Sequence, residues 1–163
     1  MTARAKSDQY QWHLPVPPDM VISILQDVEA LPALTKPYLP AWAIVDITAT
    51  VTKRDTSGLP AEVCTTTSAF GMKDHMTTEY QWTDTSCRWR VTSSRQVKSS
   101  GCDIHVTPAA EGCHVTVDTW VEFRTLLTPG PILRQLKKLH RIGFESLHEV
   151  ITTEASRRNT ELP

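Results

Sequence analysis

The stretch TPGPILRQLKKLHRIGFESLHEVITTEA, residues 128–155, decides the fold. Thr128-Pro129-Gly130-Pro131 closes whatever precedes it, because proline cannot donate to a strand ladder and Pro-Gly steps reverse the chain. Helical periodicity begins at Ile132 and runs to about Ala155. At 100° per residue, Leu133, Leu136, Leu139, His140, Gly143, Phe144, Leu147, Val150 and Ile151 fall within an arc of about 140°. Arg134, Lys137, Lys138, Arg141, Glu145 and Glu149 fall opposite. The segment is a long amphipathic helix that must lie against an apolar partner.

That partner is supplied upstream. Between Pro40 and Thr128 the period is two, in six strand-like runs: 42–54, 61–69, 73–83, 87–94, 97–107 and 113–126. Ser57-Gly58-Leu59-Pro60, Gly71, Thr83 to Ser86, Ser99-Ser100-Gly101 and Ala109 to Gly112 separate them. Connections this short make antiparallel hairpins, since a parallel crossover needs a dozen residues or more. Before the meander, Tyr10 to Leu14 reads as a short strand stopped by Pro15, Pro17 and Pro18. Asp19 to Val28 follows as a helix with Met20, Ile24 and Val28 on one face and a proline before its first turn. Pro32, Pro37 and Pro40 leave room for at most a short second helix. One strand, two short helices, six strands and a long helix make an α+β arrangement in which the helix covers the apolar face of the sheet.

With 163 residues the chain has the length of one domain, enough to bury about 70% of its unfolded surface without disulfides or metals. The net charge of −1 argues against nucleic-acid binding by phosphate neutralisation. Met1 to Asp8 is polar, unlike a secretory signal, and no segment approaches the ~18 apolar residues of a membrane span. Cys64, Cys87, Cys102 and Cys113 are widely spaced without CxxC pairing, as expected of reduced thiols in a cytoplasmic protein. Cys102, His105, Cys113 and His114 resemble a zinc set on paper. On a hairpin, however, Cys102 and Cys113 lie roughly 15 to 20 Å apart, far beyond ~2 Å metal bonds, so no metal or other cofactor is expected.

Several motifs carry a family resemblance. They are Pro17-Pro18-Asp19-Met20 through Asp27-Val28-Glu29-Ala30-Leu31-Pro32, then Met72-Lys73-Asp74, Glu79-Tyr80-Gln81-Trp82, Trp89-Arg90-Val91 and the hinge Thr128 to Leu133. In this order, over residues 9–153, they resemble the START-like (SRPBCC) superfamily and its bacterial polyketide cyclase/dehydrase-like branch. Leu31, and Leu34 or Thr35, stand where that branch often has aromatic residues. The resemblance implies a helix-grip fold, a curved antiparallel sheet of about seven strands wrapped around the long C-terminal helix. It implies one START-like domain over 9–155, with flexible termini at 1–8 and 156–163.

In such a fold an apolar cavity lies between sheet and helix. The inward parity of the strands places Met76, Thr78, Tyr80 and Trp82, then Cys87, Trp89 and Val91, then Val115, Val117, Thr119, Val121 and Phe123 toward it, with Trp120 outward. Candidate ligand-binding residues are therefore Met76, Tyr80, Trp89, Val117 and Phe123 from the sheet, and Leu136, Leu139, His140, Gly143 and Leu147 from the helix. His140 and Gly143 interrupt the apolar stripe. A mid-helix glycine costs about 1 kcal/mol relative to alanine, so either the sheet or a ligand comes close at Gly143. His140 is either a core histidine with satisfied nitrogens or the polar anchor of an apolar ligand. Asp74, His75 and Glu79 suggest acid/base work only weakly, because Glu79 has outward parity, and the basic stripe at 134, 137, 138 and 141 reads as a solvated face.

The leading expectation is a binder of a hydrophobic small molecule, lipid or polyketide-like, that performs no chemistry and exists as a monomer or homodimer. One alternative is a polyketide cyclase or dehydratase with His140 as acid/base and Tyr80 as hydrogen-bond donor. The other is a protein-interaction module with a vestigial pocket.

Overall fold

Strand β1 (Asp8–Leu14) leads into helices α1 (Pro18–Gln26) and α2 (Leu31–Thr35) and a 3-10 turn at Lys36–Tyr38. Then come β2 (Val45–Arg54), β3 (Pro60–Ala69), β4 (Met72–Thr83), β5 (Ser86–Ser93), β6 (Val97–Ala109) and β7 (Gly112–Phe123), and helices α3 (Gly130–Glu145) and α4 (Leu147–Glu161). These elements are taken from a computed structural model, which describes residues 7–161. The strands form one antiparallel sheet in the order β1-β7-β6-β5-β4-β3-β2. The meander of the sequence holds, except that Ser99-Ser100-Gly101, read as a separator, lies within β6 and the turn from β5 falls at 94–96; β1 closes the sheet on the far side of β7, with Leu14 opposite Cys113. This is the helix-grip architecture expected from the sequence.

Local chemistry sets the joints. Phe70 and Gly71, with φ of 54° and 74°, turn β3 into β4 in the left-handed geometry that matches strand twist. At Gly112 a Cβ would lie 1.9 Å from the Leu14 carbonyl oxygen, so only glycine lets the end of β1 reach β7. Trp120 points to the convex face as its parity requires, yet it is buried. Its indole lies on Gly101, where a Cβ would come within 2.5 Å of the ring, under the Arg90 guanidinium at 4.5 Å.

The long helix comes in two pieces. Ser146, between α3 and α4, donates from its Oγ to the Ile142 carbonyl at 2.7 Å, a side-chain bond of the kind that bends helices. The two pieces have different partners. Ile151 and Ala155 of α4 belong to one buried cluster with Val21, Ile24 and Leu25 of α1 and with Cys102, Ile104, Val106, Val115 and Val117 of β6 and β7, and Val150 is buried as well. At roughly 1.5 to 3 kcal/mol per fully buried aliphatic side chain, this end of the molecule carries most of the apolar stabilisation. No residue of α3 is buried.

The polar tail expected to fray from Ser156 remains helical to Glu161, and residues 1–6 and 162–163 of the expected flexible termini lie outside the described residues. A charge cluster explains the extra turns. Glu154, only 4% exposed, accepts from Arg157 and from Arg158 Nε at 3.1 Å, and Arg158 also donates to Ser23 Oγ at 3.0 Å on α1. Hydrogen bonds from Arg157, and then Arg158, hold the Glu154 carboxyl down at about 2 against its burial.

A carboxyl depressed on folding stabilises the native state above its unfolded pKa of 4.5, and that contribution is lost as pH falls toward 2. Glu154→Gln should lower unfolding stability at pH 7 by roughly 1 to 3 kcal/mol. The gap from wild type should close between pH 4.5 and 2 in a denaturant titration series; a gap independent of pH would refute the role of the charge.

Candidate functional site

Because α4 already fills one end of the sheet's concave face, the apolar stripe of α3 meets open space at the other. A cavity of about 410 Å³ lies there, a size typical of small-molecule sites. Its roof is Leu136, Leu139, His140, Gly143 and Phe144 of α3, with Leu147 at the start of α4. Its floor includes Met76 of β4, Trp89 of β5, Ile104 of β6 and Phe123 of β7. Of the ten candidate positions, the cavity wall brings together Met76, Trp89, Phe123, Leu136, Leu139, His140, Gly143 and Leu147.

Tyr80 and Val117 are not on that wall. Parity chose their face correctly, but both lie with the buried cluster that α1 and α4 share. Val117 is 2% exposed in the core cluster, and Tyr80 packs on that cluster and stacks on Trp82 at 5.7 Å. Burial pushes the Tyr80 phenol well above its ordinary range, so it stays protonated.

Sequence reasoning missed the side wall contributed by α2 and the connection after it: Leu31, Pro32, Thr35 and Leu39. Their proline content signalled irregular chain and nothing about the face presented. Asp74, a weak acid/base candidate in the sequence, shares the inward parity of Met76 and lies on the cavity wall. Both its oxygens are committed, Oδ2 to Ser94 Oγ at 2.5 Å and Oδ1 to the Arg95 N–H at 3.1 Å. These bonds tie β4 to the β5–β6 connection and leave the carboxylate poorly placed to act as a base.

Gly143 decides between its two sequence readings. A Cβ built there meets no atom within 4 Å, so the sheet does not approach; the glycine opens space. His140 is equally informative. Its ring lies 4.9 Å from that of Phe144, and its Nε2 is sealed from solvent without a hydrogen-bond partner among the described residues. Burial drives its pKa down to about 4, opposed only partly by the charge of Asp8, so the imidazole is neutral at pH 7. A general acid or base working near neutrality would need a value closer to the working pH. The His140 Nε2 is one unsatisfied polar atom sealed within an apolar wall.

The remaining reactive groups are quiet. Burial raises the Cys87 thiol to about 12 and the Cys102 thiol still further, so neither is a ready thiolate. All four cysteines carry free thiols. No cluster of three or more metal-ligating side chains occurs among the described residues. No helix among them is long and apolar enough to cross a membrane.

Comparison with known proteins places this geometry in a fold. A START superfamily protein from Mycobacterium smegmatis superposes with a TM-score of 0.70 at 16% identity, over 93% of this chain and 97% of that one. A protein of Thermus thermophilus gives 0.71 at 21% identity, over 94% and 99%. The Zhui aromatase/cyclase from a Streptomyces species gives 0.69 at 12% identity, over 95% and 96%. No protein-family model and no curated protein matches the sequence itself. The chain therefore has the START-like helix-grip fold, with a polyketide aromatase/cyclase among its structural neighbours.

Since the space at Gly143 is open, Gly143→Ala should stabilise the empty protein by about 0.5 to 1 kcal/mol through helix propensity. Urea unfolding measures this directly. A loss of stability would mean that the sheet packs against the glycine after all.

Proposed function

We propose that this protein holds a hydrophobic small molecule, lipid or polyketide-like, in the cavity beneath α3 and does not transform it. One observation carries the reading: α3 turns an apolar stripe toward a cavity of about 410 Å³ and has no buried residue of its own. In a core packed to normal density such a stripe would be covered by side chains, and the uncovered apolar area represents stabilisation that a ligand would complete. The wall supports binding in preference to catalysis. Its histidine is neutral, its carboxylate is tied into hydrogen bonds, and the tyrosine that would serve a cyclase is packed in the core. A vestigial pocket is disfavoured by the volume. Four free thiols suit the reducing cytoplasm, where we place the protein.

Protein purified under native conditions, extracted with organic solvent and analysed by mass spectrometry, should yield a stoichiometric apolar compound. Gly143→Phe, which puts a ring into the open space, should remain folded and yield at least tenfold less of it. An extract with no enriched compound, or equal yield from the filled variant, would contradict the proposal.

A further inference from the structure

A second hollow, of about 840 Å³, lies on the other side of α3, between that helix and the chain leaving β7. It adjoins the first: Val121, Phe123 and His140 belong to the walls of both, so the two hollows share a boundary at the histidine. The two compartments differ in chemistry. The inner wall is predominantly aliphatic and aromatic and carries no Lys or Arg, whereas the outer one carries Lys98, Arg124, Lys137 and Arg141 against Asp8 and Glu122. Lys98 and Glu122 neutralise each other at 3.3 Å. Arg124, Lys137 and Arg141 make no salt bridge among the described residues, and Asp8 is the one carboxylate of the wall that remains to offset them. Arg134 and Lys138 extend the positive charge along the exposed face of α3.

A crevice with surplus positive charge, bordering an apolar cavity along Val121, Phe123 and His140, suits a molecule with two unlike ends. We infer that the ligand is an anionic amphiphile, its apolar body in the inner cavity and its carboxylate or phosphate in the outer crevice beside Arg124, Lys137 and Arg141. His140 stands at the boundary between the two compartments, where head and body of such a molecule would meet. Desolvation limits charge to the crevice: the inner wall holds no cation to pair with a buried anion, so the charged end cannot lie deeper. The inference rests on the binding function proposed above and adds the charge and orientation of the ligand.

Three compounds with one chain length test it: dodecanoate, dodecyl phosphate and 1-dodecanol. Each is titrated below its aggregation limit into full-length protein at pH 7.5 and low salt, with calorimetry reporting Kd. At least one anion should bind about tenfold more tightly than the alcohol, the size expected from two or three solvent-facing charge contacts. Raising the salt to about 0.5 M should shrink that ratio several-fold through screening. In the Lys137→Gln, Arg141→Gln double variant the Kd values of anion and alcohol should converge. Equal binding of all three compounds to wild type, or an undiminished ratio in the double variant, would overturn the anionic head while leaving the apolar cavity standing. Failure of all three to bind would overturn both.

Discussion

The buried cluster that α4 shares with α1 and with strands β6 and β7 is the constraint on which the rest depends. Ile151 and Ala155 are anchored there among the best buried residues of the protein. Once that end is filled, α3 can only continue from Ser146 across the concave face, and the sheet curves away beneath it. A sheet that wraps one helix cannot also close on the other without large side chains between them. At the position where such a side chain would stand there is Gly143, with open space around it. The hollow therefore follows from the order of residues on one helix stripe: aliphatic and β-branched at the anchored end, then glycine and histidine above the cavity.

A row of rings marks the boundary between the two regimes. Phe144 stacks between Trp89 at 6.4 Å and Tyr10 at 6.5 Å, Tyr10 stacks on Trp12 at 5.6 Å, and Trp12 meets His148 at 5.2 Å. Trp89 and Phe144 face the cavity, while Tyr80 and Trp82 continue the row on the packed side. Aromatic rings bury large areas with few rotatable bonds, so they form a stiff partition at modest entropic cost. That stiffness lets one half of the molecule stay dense while the other stays open. His140 is neutral for a related reason: burial beside Phe144 outweighs the charge of Asp8, so the ring does not hold a proton at neutral pH.

Much of this was legible in the sequence, because period two and period 3.6 are direct readouts of which face a side chain takes. The meander, the α1 stripe and the long helix were each readable from spacing alone, and the inward set from Met76 to Phe123 had the correct face throughout. Depth along a strand was not legible. Tyr80 and Val117 share the parity of cavity residues but lie with the buried core cluster, and nothing in a periodic pattern says where along a strand a helix will rest. The pairing of β1 with β7 was hidden for a related reason, since it joins residues about a hundred positions apart. Gly143 and His140 stood out as breaks in a pattern, but a break alone did not distinguish close packing from space. The helical tail beyond Ala155 depended on Glu154 and two arginines acting together with Ser23 of α1, a contact outside the reach of local propensity.

Hydrogen exchange along the C-terminal helices tests the central claim most directly. If α3 is held over a void and α4 over a core, amides of residues 130–145 in the ligand-free protein should exchange much faster than those of residues 147–155, and saturating dodecanoate should slow the first set while leaving the second unchanged. Equal protection of both helices in the empty protein, with no change on adding dodecanoate, would mean that the space beneath α3 is not a binding site.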